Sequence, residues 1–168
     1  KHKVPLVITS LGAVKDVVDA VHSYGGMVFH DVTNVRHAEK AAEAGVDGLI
    51  PVCAGAGGHA GALSPFALVG ELRKFWDKTI ALSGTLSRGD DVAAALAMGA
   101  DLAYMGTRFI NTRESRAQDA YKDMIIQSSA TDIVYTPKIS GIPANFLLPS
   151  ILQNGLDPET MAHKHDVD

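Results

Sequence analysis

Two stretches of this chain end in the same way. Ala41-Ala42-Glu43-Ala44-Gly45-Val46-Asp47 and Ala95-Leu96-Ala97-Met98-Gly99-Ala100-Asp101 each close an alanine-rich helical pattern with a glycine just past the helix, pass through one residue, and enter an apolar run through an aspartate. Such a joint turns a helix back toward the start of a buried strand. Its recurrence marks a parallel βα array, and this restricts the fold more than any composition figure does.

The rest of the sequence supplies the units of that array. Pro5 to Thr9 reads as a buried strand, followed by Val14, Val17, Val18 and Val21 at helical spacing and a stop at Gly25-Gly26. Met27 to Val32 is the next strand. Thr33 and Asn34 offer caps to a helix with Val35, Ala38, Ala41 and Ala42 on one face, and Gly48 to Val52 is the third strand. Ser64-Pro65 reads as a helix start, a capping hydroxyl before proline at the first helical position, with Phe66, Val69, Leu72 and Phe75 as the buried stripe. Thr79 to Ser83 is a fourth strand. Ser87 and Asp90 have capping-box spacing ahead of an alanine-rich helix, and Asp101 to Met105 is the fifth strand.

A parallel array of this kind is either a (β/α)8 barrel or an open doubly wound sheet. Short uniform units and the absence of a GxGxxG dinucleotide turn favour the barrel. Five units are visible where closure needs eight. The expectation is therefore an α/β chain carrying the C-terminal part, about five βα units, of a (β/α)8 TIM barrel. Residues 1–128 are read as the barrel portion and 129–168 as a C-terminal extension packing on it. The chain starts at Lys1, almost inside a strand, so the remaining N-terminal strands are expected in the full-length protein; an open segment would leave sheet edges uncovered.

Composition narrows the partners. With 46% hydrophobic and 20% charged residues the chain has ordinary globular character. A net charge of -4, with fifteen Lys+Arg and seven His that gather into no basic stripe, argues against nucleic acid. No apolar run has the length of a membrane span and no signal peptide precedes the first strand, so a cytoplasmic protein is expected. The single cysteine, Cys53, excludes an intrachain disulfide and suits a reducing compartment.

Chemistry concentrates where barrels keep it, in the loops after the strands. Gly57-Gly58-His59-Ala60-Gly61 follows the third visible strand and presents an imidazole between glycines that let backbone approach a ligand. The bland alternative is a glycine-rich connection whose histidine faces water. Ser83-Gly84-Thr85 and Met105-Gly106-Thr107-Arg108-Phe109 follow the fourth and fifth strands. The loops after the last two barrel strands commonly cradle phosphate with backbone N–H groups, to which Thr85 and Thr107 would add hydroxyl donors. Two geometry-driven tight turns are the competing explanation.

Taken together, AGGHAG (Ala56 to Gly61), ALSGTLSRG (Ala81 to Gly89), VAAALAMG (Val92 to Gly99) and ADLAYMGTRFINT (Ala100 to Thr112) resemble the nitronate monooxygenase family, formerly the 2-nitropropane dioxygenases. The resemblance covers nearly the whole chain in order, with Gly141-Ile142-Pro143 inside the C-terminal extension. It implies an FMN-dependent TIM-barrel monooxygenase that oxidises alkyl nitronates or nitroalkanes with O2 to a carbonyl compound and nitrite. It implies His59 as the catalytic histidine, either anion binder or base, with Gly57, Gly58, Ser83, Gly84, Thr85, Gly106 and Thr107 holding FMN on one shared rim. An FMN-dependent enoyl-thioester reductase using NAD(P)H shares GGHxG and MGTRF, and a flavin-binding barrel without turnover is a third reading. Two positions depart from the family: Thr85 stands where many relatives have a second glycine, and Gly55 where many carry an acidic residue.

Weaker candidates complete the reading. His30 and Asp31 end the second strand, and alternation allows only one of them to face inward. Arg108 is a candidate phosphate partner or a tie to the extension. Cys53 reads as a small buried side chain. His163 and His165 read as a solvated tail, and no metal is assigned. Tyr135 and Asn145 lie in a proline-bearing stretch that either shapes the pocket or merely wraps the barrel.

Overall fold

The structure, a computed structural model, describes residues 2–12 and 15–161. In chain order the elements are β1 (Leu6–Thr9), α1 (Lys15–His22), β2 (Met27–Val32), α2 (Val35–Glu43), β3 (Gly48–Pro51), β4 (Gly58–His59), α3 (Pro65–Leu72), β5 (Thr79–Ser83), α4 (Gly89–Ala97) and β6 (Leu102–Tyr104). They continue with α5 (Thr107–Ile110), α6 (Asp119–Gln127), β7 (Ile133–Thr136), β8 (Ala144–Leu147) and α7 (Leu148–Gln153). The chain divides into two compact units, Lys1–Ala54 with Gly61–Tyr104, and Gly55–Ala60 with Met105–Asp168. Val14, His163 and His165 lie outside the described residues.

The first unit contains the five strands expected from the sequence. They form one parallel sheet in the order β1-β2-β3-β5-β6, each strand beside its predecessor in the array. Because successive side chains on a strand face opposite sides, each strand feeds two layers. Val28, Val32, Leu49, Ile80 and Leu82 point to the helix layer, where they pack with Val18, Val21, Ala38, Ala41, Leu68, Val69, Leu72 and Ala95. Each fully buried Leu or Val there stabilises the fold by about 1.5–3 kcal/mol. Phe29, Ile50 and Ala81 occupy the opposite face, with Val52 against them. The edge strands β1 and β6 leave Leu6, Ile8, Leu102 and Tyr104 exposed.

The repeated joint has a single physical basis. Gly45 (φ +88°) and Gly99 (φ +102°) adopt the left-handed backbone that ends each helix. The aspartate two residues later then bonds the neighbouring strand twice. Asp47 N–H donates to Val28 O at 2.8 Å while its Oδ2 accepts from Val28 N–H at 2.8 Å. Asp101 N–H donates to Ile80 O at 2.9 Å while its Oδ2 accepts from Ile80 N–H at 2.8 Å. Each carboxylate also meets a side chain from the helix layer, His22 Nε2 at 2.8 Å for Asp47 and Arg73 Nη2 at 2.6 Å for Asp101. The aspartate thus extends a strand's ladder where backbone alone leaves a donor free.

Local details depart from expectation at the helix starts. Asn34 caps α2 as expected, its Oδ1 accepting from His37 N–H at 2.9 Å. Ser64 occupies the position before Pro65 but makes no side-chain cap bond. The stripe on α3 runs through Leu68, Val69 and Leu72 instead of Phe66 and Phe75, with Phe66 77% exposed. Phe66 faces away from that stripe, and Phe75 stands beyond Leu72, the last residue of the helix. At α4 it is Asp91, not Asp90, whose Oδ2 accepts from Ser87 N–H and Arg88 N–H, both at 2.8 Å.

The second unit is built differently. Its sheet is antiparallel, in the order β4-β8-β7, and the Gly58-His59 pair expected as loop is its short edge strand. Glycines on either side masked that strand from any periodicity. Few residues of this unit are buried: Ala56, Ala60, Thr136, Ala144 and Ile151 among those described.

Candidate active site

His59 stands on β4 opposite Ala144, with Gly58 opposite Asn145. Gly57, Gly58 and His59 are all exposed, so the imidazole is open to a ligand. Bonds to the backbone on both sides of the histidine fix its segment. Asn145 Nδ2 donates to Ala56 O at 2.8 Å, and Tyr135 Oη donates to Ala60 O at 3.1 Å. Ala60 N–H donates to Pro143 O at 3.4 Å. Tyr135 and Asn145 therefore act on the site through the backbone that carries His59. Sequence reasoning found both residues but not this role, because no local pattern links them to a segment 75 and 89 residues away.

The same unit brings one of the two turns expected to cradle an anion, Gly106-Thr107, to this strand. A Cβ placed on Gly57 would lie 2.5 Å from Thr107 Oγ1, so only glycine permits that approach. Gly106 precedes the single turn of α5 and, like Thr107 and Arg108, is exposed. Space around Gly106 is open: a Cβ there would meet nothing within 4 Å. Arg108 forms no salt bridge among the described residues.

Ser83, Gly84 and Thr85 belong to the first unit, at the C-terminal end of β5. Gly84 (φ +131°) runs against the neighbouring strand's continuation, and a Cβ on it would sit 3.1 Å from both Cys53 O and Ala54 O. Thr85 takes a left-handed conformation (φ +57°) unusual for a β-branched residue, and its Oγ1 donates to Ala54 O at 3.2 Å. Strain of this kind clusters at ligand sites. That bond engages the hydroxyl expected as a free donor, while Thr85 N–H has no backbone acceptor among the described residues. Cys53, beneath this turn, is fully buried, and burial pushes its thiol up to about 12; it is packing, not a nucleophile.

Strand alternation separates His30 from Asp31. His30 shares the helix-side face with Val28 and Val32, is buried, and has its Nδ1 2.8 Å from Thr9 Oγ1. Burial, with His37 nearby, lowers its pKa. Asp31 lies on the other face with Phe29, and burial raises its pKa against a hydrogen bond from the Ser10 hydroxyl. Among the described residues no group of three or more His, Cys, Asp and Glu could hold a metal ion. No described helix is long and apolar enough to cross a membrane.

Comparison with known proteins places this arrangement. The chain is 30% identical over 154 residues to a nitronate monooxygenase of Paraburkholderia phytofirmans, a match covering 86% of this chain and 42% of that protein. Among solved structures, FabK from Thermotoga maritima matches with a TM-score of 0.80 and 32% identity, covering 88% of this chain and 47% of that one. A nitroalkane oxidase from Streptomyces ansochromogenes matches with a TM-score of 0.77 and 26% identity, covering 87% and 46%. The chain thus spans less than half the length of each of these proteins. Its five parallel strands are βα units of a (β/α)8 barrel, as the sequence led us to expect. The family model for nitronate monooxygenase matches residues 1–166, and this chain belongs to that family of oxidoreductases.

Proposed function

We propose that the full-length protein is an FMN-dependent enzyme that oxidises alkyl nitronates or nitroalkanes with O2, releasing a carbonyl compound and nitrite. The observation that carries this reading is the exposed His59, held on β4 by Tyr135 and Asn145, in a chain that matches the nitronate monooxygenase family over residues 1–166. The residues present fit an FMN phosphate. Gly106 leaves open space beside Thr107, and the strained Gly84-Thr85 turn presents backbone N–H groups. In this reading Gly84, Thr85, Gly106 and Thr107 hold the phosphate, while Gly57, Gly58 and Ser83 let the cofactor approach the backbone.

Bound FMN would supply the one-electron redox capacity that no side chain here has. His59 then contributes charge and hydrogen bonding: as a cation it holds the nitro or nitronate oxygens, and as a neutral base it accepts a proton. The second reading, an enoyl-thioester reductase using NAD(P)H, rests on the shared GGHxG and MGTRF motifs and on the structural likeness to FabK. Purified full-length protein decides between them. Bound FMN with oxygen uptake and nitrite release on propionate 3-nitronate, without NADPH, supports the oxidase. NADPH oxidation with an enoyl thioester supports the reductase, and bound FMN with neither activity supports a barrel without turnover. Small-molecule substrate and O2 are the partners proposed, and the cytoplasm the compartment.

A further inference from the structure

The Gly106-Thr107 turn has little beneath it. Gly106, Thr107, Arg108 and Phe109 are all exposed, and none of them joins a buried cluster. α5 is one turn of four residues, and a single helical turn does not hold its shape on its own bonds. What fixes it lies further along the chain. Phe109 N–H donates to Gly106 O at 2.9 Å, and Thr112 donates to Phe109 O twice, through its N–H at 3.3 Å and its Oγ1 at 3.0 Å. Thr112 O in turn accepts from Lys122 Nζ of α6 at 2.9 Å, and the same ammonium donates to Ser115 O at 3.0 Å. Asn111, the residue that ends α5, donates from Nδ2 to Lys122 O at 3.2 Å. Among the described residues, these bonds with Lys122 are the hydrogen bonds that tie residues 106–117 to another element.

Two features of this knot set it apart from an ordinary helix junction. Lys122 is half-buried, forms no salt bridge among the described residues, and spends its charge on two backbone carbonyls. Lysine ordinarily keeps its ammonium in water. Asn111 Oδ1 is buried without a hydrogen-bond partner among the described residues. A stranded acceptor disfavours the fold, and an apolar side chain of similar shape would not carry one. What the amide contributes is its Nδ2 bond, which holds the end of α5 against α6.

We propose that Lys122 and Asn111 are positioning residues, which clamp the end of α5 to α6 and so keep the Gly106-Thr107 turn in the geometry that binds the cofactor's phosphate. This rests on the FMN reading of that turn. Every residue involved belongs to the second unit. Neither side chain touches the cofactor: Lys122 acts through Thr112 O and Ser115 O, and Asn111 through Lys122 O. An exposed turn has no core to restore it, so loosening its anchor spreads it over more conformations. Only the competent fraction binds, and apparent affinity falls by that fraction. The loss falls on the phosphate and leaves contacts to the flavin ring intact.

The test titrates full-length protein, stripped of flavin, with FMN and separately with riboflavin, which lacks the phosphate, and reads binding from flavin fluorescence. Lys122→Met, which keeps the apolar stem, is expected to weaken FMN roughly tenfold while riboflavin stays within about twofold. Asn111→Leu removes the Nδ2 bond together with the stranded acceptor. It should weaken FMN by about threefold, again with riboflavin level, while the urea midpoint stays level or rises. Should Lys122→Met fail to fold, Asn111→Leu carries the same comparison. Equal weakening of FMN and riboflavin, or FMN binding unchanged in the folded variant, overturns the clamp. Wild-type protein that binds riboflavin as tightly as FMN overturns the phosphate reading of the turn, and the clamp with it.

Discussion

The two units hold themselves together by opposite means. In the first, order comes from repetition: a parallel sheet, a helix layer of buried Val, Leu and Ala, and two aspartates bonding neighbouring strands alike. In the second, few residues are buried, and the decisive bonds join segments 75 and 89 residues apart. The proposed catalytic histidine belongs to the second kind. A repeated, densely packed frame tolerates little change, whereas a segment fixed by two side-chain bonds can be tuned without disturbing a core.

That contrast is sharpest at His59. His59→Asn should leave FMN bound but lower nitrite release by about 10²–10⁴-fold, measured beside flavin content. Activity at the wild-type level would remove the imidazole from the reaction. Next comes the pair that seats it. Tyr135→Phe and Asn145→Ala each remove one bond to the His59 segment, worth about 0.5–1.5 kcal/mol. We expect turnover to fall roughly tenfold, the factor that about 1.4 kcal/mol represents, with the denaturation midpoint nearly unchanged. A large loss of stability with turnover intact would reverse the comparison.

The frame should answer in the opposite sense. Asp101→Ala strands the N–H of fully buried Ile80 and removes the carboxylate paired with Arg73, which keeps its bonds to backbone carbonyls, a loss of about 1–3 kcal/mol read from denaturant unfolding. Acid tests the same joints. The Ile80 N–H bond and Arg73 hold Asp101 below its ordinary pKa against some burial; at Asp47, burial is outweighed by His22 and the Val28 N–H. A carboxylate with a lowered folded pKa adds stability above its unfolded pKa and loses it as pH falls through the folded value. The Asp101 joint should therefore weaken only below about pH 4. Asp101→Asn should flatten that acid limb. The smallest effect belongs to Phe66→Ser, within about 0.5 kcal/mol of neutral because the ring is exposed.

The same division decides what could be read from residues alone. Met27 to Val32 and Thr79 to Ser83 were legible to the residue, because each is centred on consecutive apolar residues and the helix that follows it ends in glycine. Phe66 and Phe75 misled because bulk was weighed over position: Phe66 turns away from the core in the first turn of α3, and Phe75 follows the helix's last residue. Gly58-His59 concealed a strand because its pairing partner, Ala144-Asn145, lies far along the chain, and two residues carry no periodicity. Histidine, glycine and threonine types marked the candidate site. What seats the histidine was invisible, since a tyrosine or asparagine bond to a distant carbonyl leaves no trace in spacing.

Pairing of β4 with β8 also sets a timetable. During synthesis the strands of the first unit emerge and can associate while His59 still lacks a neighbour, for Ala144 and Asn145 leave the ribosome much later. The segment that carries His59 thus waits for the closing strand to arrive, and a product shortened before Ala144 would keep the parallel sheet without β4's pairing partner.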